Sequence, residues 1–362
     1  MKRQIFATIF ILGCLVASAC TSAIVTGKMT ANGRPLLWKH RDTSDLNNKV
    51  QRISSADGFD FVGLFNATDT LCREAWMGCN VTGFAIMNTA SYNLKADTVK
   101  EMDKEGLVMS IALSKCKTVD DFEKLLAELP KPLGVEANFG VIDANGGAAY
   151  FETCNYSYTR IDVDSVMVRT NHSKSGRKDE GYGYVREQTA LTLLEPYIKN
   201  HNITPATFTE TLSRSFYHSL INKDFAADTV EYVVDRDFIP RRISSASVVV
   251  EGVNPGDNPL MTTMWTVLGY PPCGVVTPVW LFDGGLPKDM RADAVTFRSP
   301  ACDKANELKK QVFNIKRDNG SNYLNIKALY KADGSGISQI NNKTSIENYR
   351  RGYELLKERF GK

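Results

Sequence analysis

The chemistry in this sequence starts at Cys20, within Ala17-Ser18-Ala19-Cys20-Thr21-Ser22. Ala17 and Ala19 are the small residues of a cleavage site, and a cut after Ala19 makes Cys20 the first residue of the mature chain. A cysteine there carries a thiol nucleophile and, on the same residue, a free α-amine. Such an amine has an unperturbed pKa of roughly 7.7–8.0, so it can act as a base near neutrality without a histidine. A carboxylate that holds the amine and amide N–H groups that meet a developing oxyanion would complete the machinery. Asp42 is the candidate carboxylate, and Asn88 and Asn171 are the candidate donors. His172, next to Asn171, is the base that a rival Cys–His pair would use.

The elements around these residues are predicted to bring them together. Ser22 to Thr26 reads as a strand, Ala31-Asn32-Gly33-Arg34-Pro35 as a turn, and Leu36 to Lys39 as the returning strand. That hairpin carries His40-Arg41-Asp42 back beside Cys20. Phe59 to Leu64 is a further strand, and Ala75 to Asn88 reads as strand, glycine turn, strand. Glu105 to Leu129 turns helical, with a cap at Thr118-Val119-Asp120-Asp121 and a stop at Pro130 and Pro132. Strand character returns from Asn138 to Phe151, Tyr156 to Asp162 and Val166 to Thr170. Helices are predicted over Arg186 to Lys199 and Pro205 to Ser219, and strands over Ser244 to Glu251, Met261 to Leu268 and Val275 to Phe282. Residues 290–360 read as mostly helical, with interruptions near Asn319 and Gly334. Arg241 and Arg242 open the strand at Ser244 and read, from their setting alone, as a solvated strand start. Strand runs alternating with helix pairs make the fold class α+β, with two sheets covered by helices.

Composition bounds the function. The chain has 362 residues, 43% hydrophobic and 23% charged, as in an ordinary globular protein. A net charge of +3, without a basic stripe, argues against nucleic acid as a partner. Lys2, Arg3 and the apolar run Ile5 to Val16 make residues 1–19 a signal peptide. No later stretch is long and apolar enough to span a bilayer, so the expectation is a soluble, exported protein, periplasmic or secreted. Cys20 after an apolar run is also where a lipoprotein would be acylated. That would block the amine and leave a lipid-anchored binding protein. Ala17, where a bulky aliphatic would precede such an anchor, favours a free cysteine. Without Cys14, seven cysteines remain, an odd number that leaves at least one thiol unpaired, and Cys72 and Cys79 are close enough in sequence to bridge. The four scattered histidines give no metal pattern and no cofactor is expected. The composition is as compatible with an oligomer as with a monomer.

The order of these stretches resembles a family. Cys20-Thr21-Ser22, Lys39-His40-Arg41-Asp42, Gly78 to Asn88 and Thr170-Asn171-His172 are similar to the choloylglycine hydrolase and acyl-CoA:6-aminopenicillanate acyltransferase group. Pro240 to Ala246 and Met264 to Gly269 look like its peptidase C45 branch. The resemblance covers about residues 20–285. It implies the αββα N-terminal-nucleophile (Ntn) hydrolase sandwich in one domain over residues 20–362, with residues 290–362 as a helical extension. It implies hydrolysis of a linear amide C–N bond in a small N-acyl amide such as a conjugated bile acid, or acyl transfer from the same acyl-thioester. Cys20 would be nucleophile and base, Asp42 the carboxylate orienting the amine, Asn171 and Asn88 the oxyanion-hole residues, and Arg242, or else Arg241, the supporting arginine. The family often shows Arg-Asn-x-Asp where this chain has Lys39-His40-Arg41-Asp42. A lysine there is a point charge where an arginine would be a planar fork.

Overall fold

The computed structural model describes residues 19–361. The expected signal peptide therefore lies, apart from Ala19, outside the described residues. Two antiparallel sheets dominate. The first has the order β10-β1-β2-β14-β15-β16, with β1 (Thr21–Val25) paired on one side to β2 (Leu36–Asp42) and on the other to the edge strand β10 (Val166–Arg169). On the far side of β2 come β14 (Ser244–Glu251), β15 (Thr263–Leu268) and β16 (Thr277–Val279). The second sheet runs in sequence order: β3 (Asn48–Ile53), β4 (Phe61–Asn66), β5 (Met77–Asn80), β6 (Ala85–Ala90), β7 (Ala137–Ile142), β8 (Ala148–Thr153) and β9 (Tyr158–Asp162). Two small ladders, β11 (Tyr217–His218) with β12 (Lys223–Asp224) and β13 (Tyr232–Val233) with β17 (Leu324–Asn325), lie apart from them.

Side-chain alternation decides how the sheets stack. In β1 and β2, Ile24 and Leu37 join Val62, Met77, Met87, Val248 and Met264 in a core contributed by both sheets. Ala23, Val25, Leu36 and Trp38 point the other way, onto Ala190 and Leu194 of α3 (Tyr184–Lys199) and Tyr349 of a long C-terminal helix. On the far face of the second sheet, Phe61, Phe139 and Phe151 are covered by Met109 and Leu113 of α1 (Glu105–Lys115) and Phe122 and Leu126 of α2 (Val119–Glu128). The result is helix, sheet, sheet, helix: the two helix-covered sheets read from the sequence pattern, in the αββα arrangement that the family resemblance implies. The predicted cap is present as a capping box, with Thr118 accepting from the Asp121 N–H and Asp121 from the Thr118 N–H.

Three expectations change. Pro205 to Ser219 is not one helix: it holds a five-residue π turn at Thr207–Thr211 and a 3-10 turn at Leu212–Arg214. Buried Arg214 donates to the carbonyls of Pro272 and Gly274, which anchors the segment to a neighbouring loop. Strand β3 was not expected, because Val50 is its only apolar residue before Ile53 and buried Lys49 spends its ammonium on the Asp69 carbonyl. Cys72 and Cys79 do not bridge: all seven described cysteines are free thiols.

The C-terminal residues are built into the sandwich. From α4 (Pro300–Val312), Cys302 enters the core between the sheets. After the short α5 (Ile326–Leu329), α6 (Ile337–Phe360) lies across the first sheet. It approaches so closely at Gly352 that a Cβ there would stand 2.6 Å from the Trp265 ring. Trp265 cannot easily yield, since it is fully buried and its indole N–H is held by Glu251. Gly352→Ala gains about 1 kcal/mol of helix propensity but overpacks this contact by about 1–3 kcal/mol. The expected net result is a loss of stability, measured as a lower urea midpoint with unchanged m-value.

Candidate active site

Two groups of polar residues flank Cys20, one on each face of β2. Thr21 pairs with His40 across the β1–β2 ladder, so the hairpin brings Cys20 to Arg41 and Asp42, as the sequence predicts. The Cys20 thiol lies 3.9 Å from the Asp42 carbonyl oxygen.

The helix-facing group is centred on the fully buried Asp42 carboxylate. The Ser244 hydroxyl donates to Oδ1 at 2.5 Å, and Arg241 grips Oδ2 through Nε and Nη2. The same Nη2 donates to the Ala19 carbonyl at 2.7 Å, so Arg241 ties Asp42 to the peptide preceding Cys20. The only hydroxyl hydrogen of Ser244 goes to Asp42. Its oxygen therefore accepts, from the Arg241 N–H at 2.8 Å and from His40 Nε2 at 2.9 Å. That makes His40 the Nε2–H tautomer, and its Nδ1 has no partner. Burial pushes the His40 pKa down to about 4 against the pull of Asp42, so the ring is neutral at pH 7. Arg186, fully buried on α3, completes this side. It donates to the Cys20 carbonyl at 2.6 Å, to Thr21 Oγ1 at 2.8 Å and to Asn171 Oδ1 at 2.7 Å. Burial pushes the Arg186 pKa down to about 10, and the nearby Arg241 charge adds to the effect.

The group between the sheets contains Lys39 and Arg41. Lys39 Nζ donates to Asn88 Oδ1 at 2.6 Å and to the Trp76 carbonyl at 2.7 Å. Arg41 donates to Asn48 at 2.5 Å and Asn66 at 2.8 Å, with its guanidinium 4.9 Å from the Trp76 ring centroid. Burial pushes the Lys39 pKa down to about 7; Cys20 and Glu105 oppose this shift and Arg41 reinforces it. Burial likewise raises the Glu105 carboxyl to about 7.

Asn171 lies at the end of this network, its Nδ2 donating to the Ala90 carbonyl at 2.9 Å. Asn88 is on the second sheet, joined to the first by Lys39. Of the two adjacent arginines, the structure places Arg241, not Arg242, against Asp42. Arg242 is exposed, its backbone N–H donates to Asp235, and it lines a cavity of about 380 Å³ with Arg236, Asp237 and Arg317. His172 is committed elsewhere: Nε2 lies 3.0 Å from Glu187, and its ring stacks on Tyr184 at 4.0 Å. None of these His172 contacts is with Cys20. Arg186 and Ser244 were not foreseen as site residues. The signal for Arg186 was its spacing, four and eight residues before Ala190 and Leu194 on the buried stripe of α3. Among the described residues, no cluster of His, Cys, Asp or Glu could hold a metal, and no helix is long and apolar enough to cross a membrane.

Comparison with known proteins adds a family. The sequence profile of acyl-coenzyme A:6-aminopenicillanic acid acyl-transferase matches residues 43–224, half of the chain. That span contains Asn88, Asn171 and Arg186 and begins one residue after Asp42. No curated protein sequence matches. Among solved structures, the chain is similar to an N-acylethanolamine-hydrolyzing acid amidase ortholog from Caenorhabditis elegans at 11% identity and TM-score 0.44, covering 64% of this chain and 92% of that one. It is also similar to a mutant conjugated bile acid hydrolase from Clostridium perfringens, at 11% identity and TM-score 0.45 over 73% and 92% of the two chains. Penicillin V acylase from Agrobacterium tumefaciens gives 12% identity and TM-score 0.44, over 73% and 86%.

Two predictions separate these roles. Arg241→Met strips a buried carboxylate of its cation and should cost about 3–5 kcal/mol in chemical denaturation, whereas exposed Arg242→Met should stay within about 0.5 kcal/mol of wild type. The folded-state pKa of Lys39 lies below its unfolded value, so between pH 7 and 10 the unfolded chain binds more protons at this residue. Wild type should therefore gain stability relative to Lys39→Met as pH rises through that window, measured by denaturation at each pH.

Proposed function

Because this chain belongs to the acyl-coenzyme A:6-aminopenicillanic acid acyl-transferase family, we propose that it is an exported enzyme that opens a linear amide C–N bond through an acyl-thioester on Cys20. The substrate class is a small N-acyl amide, and the location is the periplasm or the outside of the cell. The single observation that carries the reading is the convergence on Cys20: Arg186 links its carbonyl to Asn171, and Arg241 links the preceding carbonyl to Asp42.

In this reading, removal of residues 1–19 leaves an α-amine on Cys20 where the Ala19 peptide stood, in the reach of the Asp42–Arg241–Ser244 group. The amine takes the thiol proton, and the thiolate attacks the amide carbon. A sulfur–carbon bond forms, and the carbonyl electron pair moves to oxygen, where Asn171 and Asn88 supply N–H donors. When the oxyanion collapses, the C–N bond breaks and the α-ammonium returns its proton to the departing amine. Water then attacks the thioester and releases the acid. A second amine in place of water gives acyl transfer, the outcome in the family's name.

The test is the mass and N-terminal sequence of the exported protein, followed by an acyl-amide substrate screen on wild type and Cys20→Ala. The expected result is an unmodified N-terminal Cys20 and turnover reduced by at least about 1,000-fold in the variant. A diacylglyceryl or N-acylated Cys20 would remove the base and overturn the reading in favour of an anchored binding protein.

A further inference from the structure

The two ends of an asparagine side chain have nearly the same shape and differ only in hydrogen bonding, so a neighbour must decide which way the amide faces. At Asn88 that neighbour is Lys39. A lysine ammonium has three donors and no acceptor, so at 2.6 Å it can meet only Oδ1. Its place is fixed by a second bond, to the Trp76 carbonyl at 2.7 Å, and by full burial with Arg41 beside it. The reverse orientation would set the amide N–H₂ group against a buried ammonium. Asn88 Nδ2 consequently faces away from Lys39, and it donates to nothing among the described residues, although the residue is only 4% exposed. Asn171 differs: Arg186 holds its oxygen, and its nitrogen donates to the Ala90 carbonyl.

We propose that Lys39 is a positioning residue for the Cys20 reaction, holding the Asn88 amide so that its N–H₂ group is kept as an uncommitted donor for the oxyanion. The inference rests on the reading of Cys20 as nucleophile. It goes beyond that reading by giving the lysine in Lys39-His40-Arg41-Asp42 a role that acts on the transition state through a second residue. Lysine and arginine share this capacity, because both only donate while charged. Methionine cannot impose an orientation, and neither can glutamine, whose amide also accepts.

The experiment compares two reagents on the mature protein. With p-nitrophenyl butyrate, the Cys20 thiolate forms a sulfur–carbon bond, the carbonyl oxygen passes through an oxyanion, and p-nitrophenolate leaves. With iodoacetamide, a sulfur–carbon bond forms and iodide leaves, with no oxyanion. The ratio of the two single-turnover rates therefore isolates oxyanion stabilisation from thiolate formation, and peptide mass spectrometry confirms Cys20 as the modified residue. Removing one such donor costs about 100- to 1,000-fold in a well-studied protease. The ratio should accordingly fall at least about tenfold in both Lys39→Met and Asn88→Ala. It should fall no further in the double variant and stay within about threefold of wild type in Lys39→Arg. Lys39→Gln replaces Lys39→Met should the latter fail to fold, which melting curves will show. A ratio in Lys39→Met within about threefold of wild type, or losses that add in the double variant, would overturn the proposal. Failure of both reagents to modify Cys20 in wild type would instead overturn the nucleophile reading itself.

Discussion

A carboxylate sealed from water is the constraint around which the first sheet is arranged. Asp42 has no exposed surface, and a bare carboxylate in that position would be prohibitively unfavourable. Its compensation comes from β14, the strand hydrogen-bonded to its own, and from the residues leading into it. The β2–β14 register slips between Ser244 and Ala246, placing one extra residue opposite β2. Such an irregularity re-aims a side chain, and here Ser244 meets Asp42 while Arg241, three residues earlier, closes over the other oxygen. His40 adds a neutral donor to the same hydroxyl. Being neutral, it leaves the compensating positive charge to the arginines, with Arg241 in direct contact and Arg186 nearby.

Alternation along β2 then divides the chemistry between two environments. His40 and Asp42 face the helices, where α3 contributes Arg186. Lys39 and Arg41 face the second sheet, where both cations lie over the Trp76 ring, at 5.7 and 4.9 Å from its centroid. Two positive charges held between sheets, with Glu105 raised toward neutrality beside them, make a site that favours an anion.

Most of the fold was legible because it is written in short-range patterns. The hairpin from Ser22 to Asp42, the capping box at Thr118 and the strand, glycine turn, strand from Ala75 to Asn88 all depend on residues close in sequence. The misread segments depend on distant partners. Strand β3 is polar because Lys49 and Asn48 are satisfied by Asp69, Arg41 and the Ser245 carbonyl. The Thr207–Arg214 turns are shaped by a loop near Pro272. The same distinction holds in the site. Asp42 could be placed beside Cys20 from a hairpin alone, whereas the choice between Arg241 and Arg242 turns on the side chain that points back across the sheet. Arg186 is a cation in an apolar stripe, a legible anomaly whose partner, the Cys20 carbonyl, lies 166 residues away.

The position of β1 between β2 and β10 also sets the order in which this protein can fold. Its partner β10 is far downstream: Ser22 bonds to the Arg169 carbonyl across 147 residues, and Asp42 waits for Ser244 across 202. The second sheet, a meander of neighbouring strands, can assemble from contiguous chain, whereas the first stays incomplete until β16, ending at Val279, has been synthesised. Long loops must close before such pairings yield any stabilisation, so this sheet forms late and slowly. The first strand of the described residues is thus among the last to find its place, and the cysteine that precedes it meets Asp42 and Arg186 only when nearly all of the structure around it exists.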